Sequence, residues 1–102
     1  MPDQTYAHAI DGELTIVSVA HHAPALLAAA TRAGACPLDL SGVTHFDGAG
    51  LQLLLFAARE AAHAGGRLHV AAASRAVAAA LALARLDANL QPRASSSTEN
   101  AA

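Results

Sequence analysis

Positions 41 to 50 read SGVTHFDGAG, which puts Ser41, Thr44, His45 and Asp47 within a few residues of one another. Hydroxyl, imidazole and carboxylate are the groups of nucleophilic hydrolysis, in which the imidazole takes the hydroxyl proton and the carboxylate orients the imidazole. That chemistry needs the nucleophile held out on a strained turn. The G-x-S-x-G elbow that would do this is missing, and Ser-x-x-x-His on a short loop supplies no such geometry. No catalytic residue is therefore assigned, and the chain is expected not to be an enzyme. Six histidines raise the question of a metal: His8, His21, His22, His45, His63 and His69. Only His21 and His22 are adjacent, and neighbours on a helix point about 100° apart, so they do not share one ion. No H-E-x-x-H pattern accompanies them. Cys36 is the only cysteine, which excludes a disulfide framework or a multi-cysteine zinc site within one chain. Its one basic neighbour is Arg32, so it reads as a semi-buried small residue rather than a reactive thiol. Neither a metal nor a cofactor is expected.

These residues have to be positioned by an alternation of strand and helix. Asp11-Gly12 lies between two β-prone runs, so a hairpin is expected with arms Tyr6–Ile10 and Leu14–Val19. A first helix follows, with Pro24 in its first turn, Leu26, Leu27, Ala30 and Thr31 at helical spacing, and Gly34 as its stop. Leu38–Val43 reads as a central strand that breaks at Ser41-Gly42. A second helix is expected from Ala49 to Ala64. Asp47 caps it, Gly65-Gly66 stops it, and Leu51, Leu54, Leu55, Ala58, Ala61 and Ala62 form its core stripe. Arg67–Ala72 is the next strand, and Ser74 caps a third helix with Val77, Ala80, Leu81 and Ala84 on one side. Such alternation implies βαβ units, hence a single small α/β domain with a mainly parallel or mixed sheet and three or more helices packed on it. The domain is placed at residues 1–90, and 91–102 (QPRASSSTENAA) is expected to be a flexible polar tail.

On the second helix one residue stands out of pattern. Phe56 falls in the middle of the polar face, between Glu60 and His63, with Gln52 and Arg59 close by and Leu53 at the margin. A large ring ringed by polar groups is the kind of anchor that marks a protein interface. The alternative is that it folds over the edge of the core or sits beneath the tail.

Composition points the same way. The chain has 102 residues, and 29 of its apolar residues are alanine, which leaves a core large enough for one domain. The aromatics are Tyr6, Phe46 and Phe56, too few to line a deep ligand cavity. Six arginines, no lysine and eight acids give a net charge of −2 and no basic footprint for nucleic acid. The longest apolar run, Ala76–Ala84, is far short of the roughly 20 residues a membrane span needs, and the N-terminal stretch lacks a basic n-region. A soluble cytoplasmic protein with no direct membrane insertion is expected.

The stretch LDLSGVTHFDGAGLQLLLFAAREAAHAGGRLHVAAASRAVAAALALARLD, residues 38–87, resembles the STAS domain in its order of strand, D-x-x-G turn, amphipathic helix, Gly-Gly stop, strand and helix. The resemblance covers about half the chain strongly, while the opening segment and first helix fit it loosely. That family includes anti-sigma-factor antagonists, STAS subunits of phospholipid-trafficking ABC transporters, tails of sulfate transporters and chemotaxis-linked adaptors. Family members that act as phospho-switches carry a hydroxyl in the turn opening the second helix, as D-S-S-G or D-T-x-G. Here the turn is Asp47-Gly48-Ala49-Gly50. Asp47 and Gly50 match, but Gly48 and Ala49 have no side-chain oxygen to receive phosphate, so there is no phosphoacceptor at this turn. Ser41 and Thr44 lie nearby without a spacing that favours either. The resemblance implies a docking surface made of Asp47, Gly48, Ala49 and Gly50 with Gln52, Leu53, Phe56, Arg59, Glu60 and His63. Free N–H groups at the helix start would be available to an acidic group of a partner. The implied partner is an anti-sigma factor or a histidine-kinase-like protein; in the transporter case it is an ABC ATPase. For Asp47 the plain alternative is a helix cap and no more, and the two roles are compatible.

Overall fold

The computed structural model describes residues 7–32 and 34–85. Six elements follow in order: β1 (His8–Leu14), α1 (Val19–Ala30), β2 (Ala35–Phe46), α2 (Gly48–His63), β3 (Arg67–Ala73) and α3 (Arg75–Leu83). The sheet has the order β1-β2-β3, and both pairings are parallel. Of the two sheets the sequence allows, mainly parallel or mixed, the described strands form the parallel one, in an α/β domain with three helices. Parallel neighbours need a helical crossover, and α1 and α2 are those crossovers. They pack on each other and on the sheet, α1 over β1 and α2 over β2 and β3, while α3 packs on β2 and β3.

The core follows from the two periodicities. On β2 and β3, Cys36 lies beside Leu68 and Leu38 beside Val70, all four buried on one face. Against them come Ile10 and Leu14 of β1, Leu26, Ala29 and Ala30 of α1, Leu54, Ala57 and Ala61 of α2, and Val77 and Leu81 of α3. The small alanines let the helices approach the sheet closely, and each fully buried leucine contributes about 1.5–3 kcal/mol of transfer free energy. The stripe of α2 is shifted by part of a turn from the expected one. Ala57 is buried, Ala62 is exposed, and Leu51, Leu55 and Ala58 are half-buried.

The opening hairpin is not formed. Asp11-Gly12 lies inside β1, which runs parallel to β2 with register shifts on either side of that pair. The chain ends β1 at Leu14, turns at Thr15–Ser18 and enters α1 at Val19. Bonds within the turn explain why LTIVSV does not continue as a strand. Ser18 and Val19 N–H donate to the Thr15 carbonyl at 2.9 and 2.8 Å, and the Ser18 hydroxyl donates to the Glu13 carbonyl at 2.8 Å. As a result α1 starts before the expected point, and Pro24 lies inside it rather than in its first turn. Nor does β2 break at Ser41-Gly42. A side chain at Gly42 would collide with the Asp11 carboxylate, so glycine here lets the Asp11 side chain cross the strand while the strand continues to Phe46. Tyr6 and the tail 91–102 lie outside the described residues.

Candidate docking surface

Asp47 occupies the corner where β2 ends and α2 begins, in extended backbone geometry (φ −131°, ψ −171°). Its Oδ1 accepts from the N–H groups of Ala49 at 2.9 Å and Gly50 at 3.1 Å, the arrangement of a helix N-cap. Its Oδ2 accepts from the N–H of Ile16 at 3.0 Å, in the β1–α1 turn, 31 positions away in sequence. One carboxylate thus starts α2 and ties a distant turn to it. These bonds favour the charged form and hold the carboxyl below its ordinary value, the Ile16 N–H making the largest contribution and Gly50 and Ala49 adding to it. The N–H groups of Ala49 and Gly50 are therefore taken by Asp47 itself. The expectation that they face an acidic group of a partner is corrected accordingly.

The two glycines of the turn differ. Gly50 is buried, and a side chain there would collide with the Leu14 carbonyl and lie 3.0 Å from carbons of the Phe46 ring. Only glycine allows α2 to start this close to the end of β1. Gly48 is exposed and a side chain would meet nothing within 4 Å, while Ala49 is half-buried. Of the two positions where a hydroxyl is missing, residue 48 is thus sterically open and residue 49 half-buried, while the matching Gly50 is closed to any side chain.

From this corner the outer face of α2 runs away along the molecule. Gln52, Arg59 and His63 are exposed, Leu53 and Glu60 are half-buried, and Phe56 is 44% exposed. His63 Nδ1 lies 3.8 Å from Glu60 Oε2, an exposed pair of little energetic weight. Sequence reasoning passed over Ile16 and Val17, which the turn beside Asp47 leaves 70% and 83% exposed. The only signal for them was the Thr15-x-x-Ser18 spacing, which makes a hydroxyl-closed turn of a segment that otherwise reads as strand.

The other candidates are drawn apart. The Ser41 hydroxyl donates to Asp39 Oδ1 at 2.6 Å, and this bond is the first cause holding the Asp39 carboxyl below its ordinary value. His45 Nδ1 shares a hydrogen bond with the Thr44 hydroxyl at 3.1 Å, and Asp47 is engaged by backbone. Ser41, His45 and Asp47 thus each bond to a different neighbour. His21 and His22 meet edge to face with ring centres 5.1 Å apart, and His22 Nε2 lies 3.1 Å from the Glu13 carbonyl. No cluster of three His, Cys, Asp or Glu able to hold a metal exists among the described residues. Cys36 is buried, and burial pushes its thiol up against the opposing pull of Arg32.

No curated protein matches the chain at a significant level. A family model described as "Mlab, STAS domain" does match, over residues 1–92 of the 102. That span contains all six elements, the Asp47 corner and the whole outer face of α2. The chain belongs to the STAS domain family.

Proposed function

We propose that this chain is a non-enzymatic regulatory adaptor of the STAS type, resembling anti-sigma-factor antagonists, that binds its partner through the Asp47–Gly50 turn and the outer face of α2. STAS domains are in general binding domains. The observation that carries the reading is Phe56: an aromatic ring 44% exposed on a helix whose opposite face fills the core. Such a ring in a polar surround is what a partner desolvates with most gain. The partner is an anti-sigma factor or a related histidine-kinase-like protein. With Gly48 and Ala49 in the turn, binding is not switched by phosphorylation at residues 47–50, so the module is permanently in the unphosphorylated, binding-competent form or answers to another input. Among the described residues no helix is long and apolar enough to cross a membrane. The reading places the protein in the cytoplasm, as one domain over residues 1–90.

A second reading, the STAS subunit of an ABC-type phospholipid transporter bound to its ATPase, is favoured by the Mlab name of the matching model. One experiment separates the two. Wild-type protein and Phe56→Ala are used side by side as bait in the native host, and what the variant loses is identified by mass spectrometry. Loss of an anti-sigma factor or signalling kinase supports the first reading, and loss of an ABC ATPase with its permease supports the second. A variant that loses nothing overturns the α2 surface. Incubation with the recovered kinase is expected to add no phosphate mass to residues 47–50.

A further inference from the structure

Ile16 and Val17 belong neither to the core nor to the turn that opens α2. They are two successive β-branched residues, a type that folded chains bury by preference, yet they stand 70% and 83% exposed. Side-chain oxygens hold them there. The Thr15 N–H donates to Ser18 Oγ at 3.0 Å, the Val17 N–H to Thr15 Oγ1 at 3.3 Å, and the Ile16 N–H to Asp47 Oδ2 at 3.0 Å. Three successive N–H groups are thus fixed, and the last bond sets the tip against the start of α2. Phe56 lies eight residues along that helix from Gly48, about 12 Å at 1.5 Å per residue.

The charge beside the tip has one sign. Glu13 precedes it and Asp47 holds it, both exposed, while residues 7–31 and 34–58 contain neither arginine nor lysine. Of the described arginines, Arg75 lies at the start of α3, Arg32 and Arg85 follow the ends of α1 and α3, Arg67 opens β3, and Arg59 lies on the outer face of α2, about one turn beyond Phe56 and away from the tip.

We infer that Ile16 and Val17 form the apolar anchor of a docking surface continuous with the Asp47 corner, and that its occupant is a partner protein presenting an apolar cleft with a cationic rim. Asp47 is a positioning residue here, acting through the Ile16 N–H. The inference rests on the docking reading given above and extends it to a second element.

The test places a photo-crosslinking amino acid at Val17 or, for comparison, at Leu83, which is 86% exposed beyond the far end of α3. The full chain is used in the native host, and the adduct's partner is then purified. Binding to it is measured for wild type, Val17→Asp, Val17→Leu and Phe56→Ala at two salt concentrations. The expected result is an adduct at position 17 and not at 83, and affinity that falls with salt. Val17→Asp is expected to lower affinity by about tenfold or more, with Val17→Leu close to wild type. If Phe56→Ala weakens binding and Val17→Asp does not, the α2 reading stands and this inference fails. Binding insensitive to salt overturns the cationic rim, and an adduct with a second copy of this chain overturns the occupant. An absence of adduct together with a bait that retains no partner overturns both readings.

Discussion

Asp47 has two sets of bonds that different substitutions separate. Asparagine keeps one carbonyl oxygen for the cap but presents an amide NH2 where Oδ2 accepts from Ile16; alanine removes both. Asp47→Asn is therefore expected to speed amide exchange at Ile16 while leaving Gly50 protected, and Asp47→Ala to speed both, read residue by residue by NMR. The sign of the pH effect follows from a folded-state pKa held below the unfolded value of 3.8. The stabilisation is complete above 3.8 and is lost as pH falls through the lower folded value. Wild type should thus melt above Asp47→Ala at neutral pH, and the gap should close only in strong acid. At the neighbouring glycines the contrast is steric. Gly50→Ala pushes a methyl into the Leu14 carbonyl and the Phe46 ring, and should cost about 1–3 kcal/mol in urea unfolding. Gly48→Ala enters open space and should stay within about 0.5 kcal/mol of wild type.

At the scale of the element, α2 has one face that fills the core and one that the proposed function assigns to docking, and the two are expected to respond differently to truncation. Leu54 is fully buried, so Leu54→Ala is expected to cost about 2–5 kcal/mol. Phe56 is 44% exposed, so Phe56→Ala should cost about 1 kcal/mol, with the larger loss in partner binding. Unfolding by several kcal/mol in Phe56→Ala would make the ring a core residue and end its role as an anchor. That α2 exists and has two faces was legible in the sequence, because the Asp47 cap and the Gly-Gly stop bracket one run of helical period, although the buried stripe lies part of a turn away from the expected one. The strand-helix order from β2 to α3 was legible for the same reason. What was not legible depended on contacts between segments far apart in the chain. Asp11-Gly12 has the local signature of a hairpin turn, but Gly42 gives the Asp11 side chain room to cross and β1 continues in parallel. The run LTIVSV has the composition of a strand, but the Ser18 hydroxyl and the Asp47 carboxylate, one near and one remote, fold its middle into an exposed tip. The outer face of α2 could thus be read in advance, and the half of the candidate surface that depends on a bond from residue 16 to residue 47 could not.

For the whole molecule, three parallel strands with helices returning between them put the strand C-termini and the starts of α1, α2 and α3 at one end. The Asp47 corner and the Ile16–Val17 tip both lie there, beyond the carboxyl ends of the strands. The rest of the sheet has a different weakness. Leu68 and Val70 take the core face of β3, which leaves His69 on the other side, its Nδ1 buried with no hydrogen-bond partner among the described residues. Burial, and then the nearby Arg67 cation, hold His69 below the ordinary imidazole value. Burial, and then His22, do the same to His8 on β1. In both cases the fold favours the neutral ring, whereas the unfolded chain takes up protons near 6.5. Above that value neither histidine affects stability; as pH falls below it, the unfolded state binds more protons and the folded state loses ground until the lower folded values are reached. The urea midpoint should therefore fall between pH 7 and pH 5. His69→Leu should flatten that dependence, and adding His8→Leu should flatten it further. If both variants keep the wild-type slope, the acid sensitivity of the fold has its source in other groups.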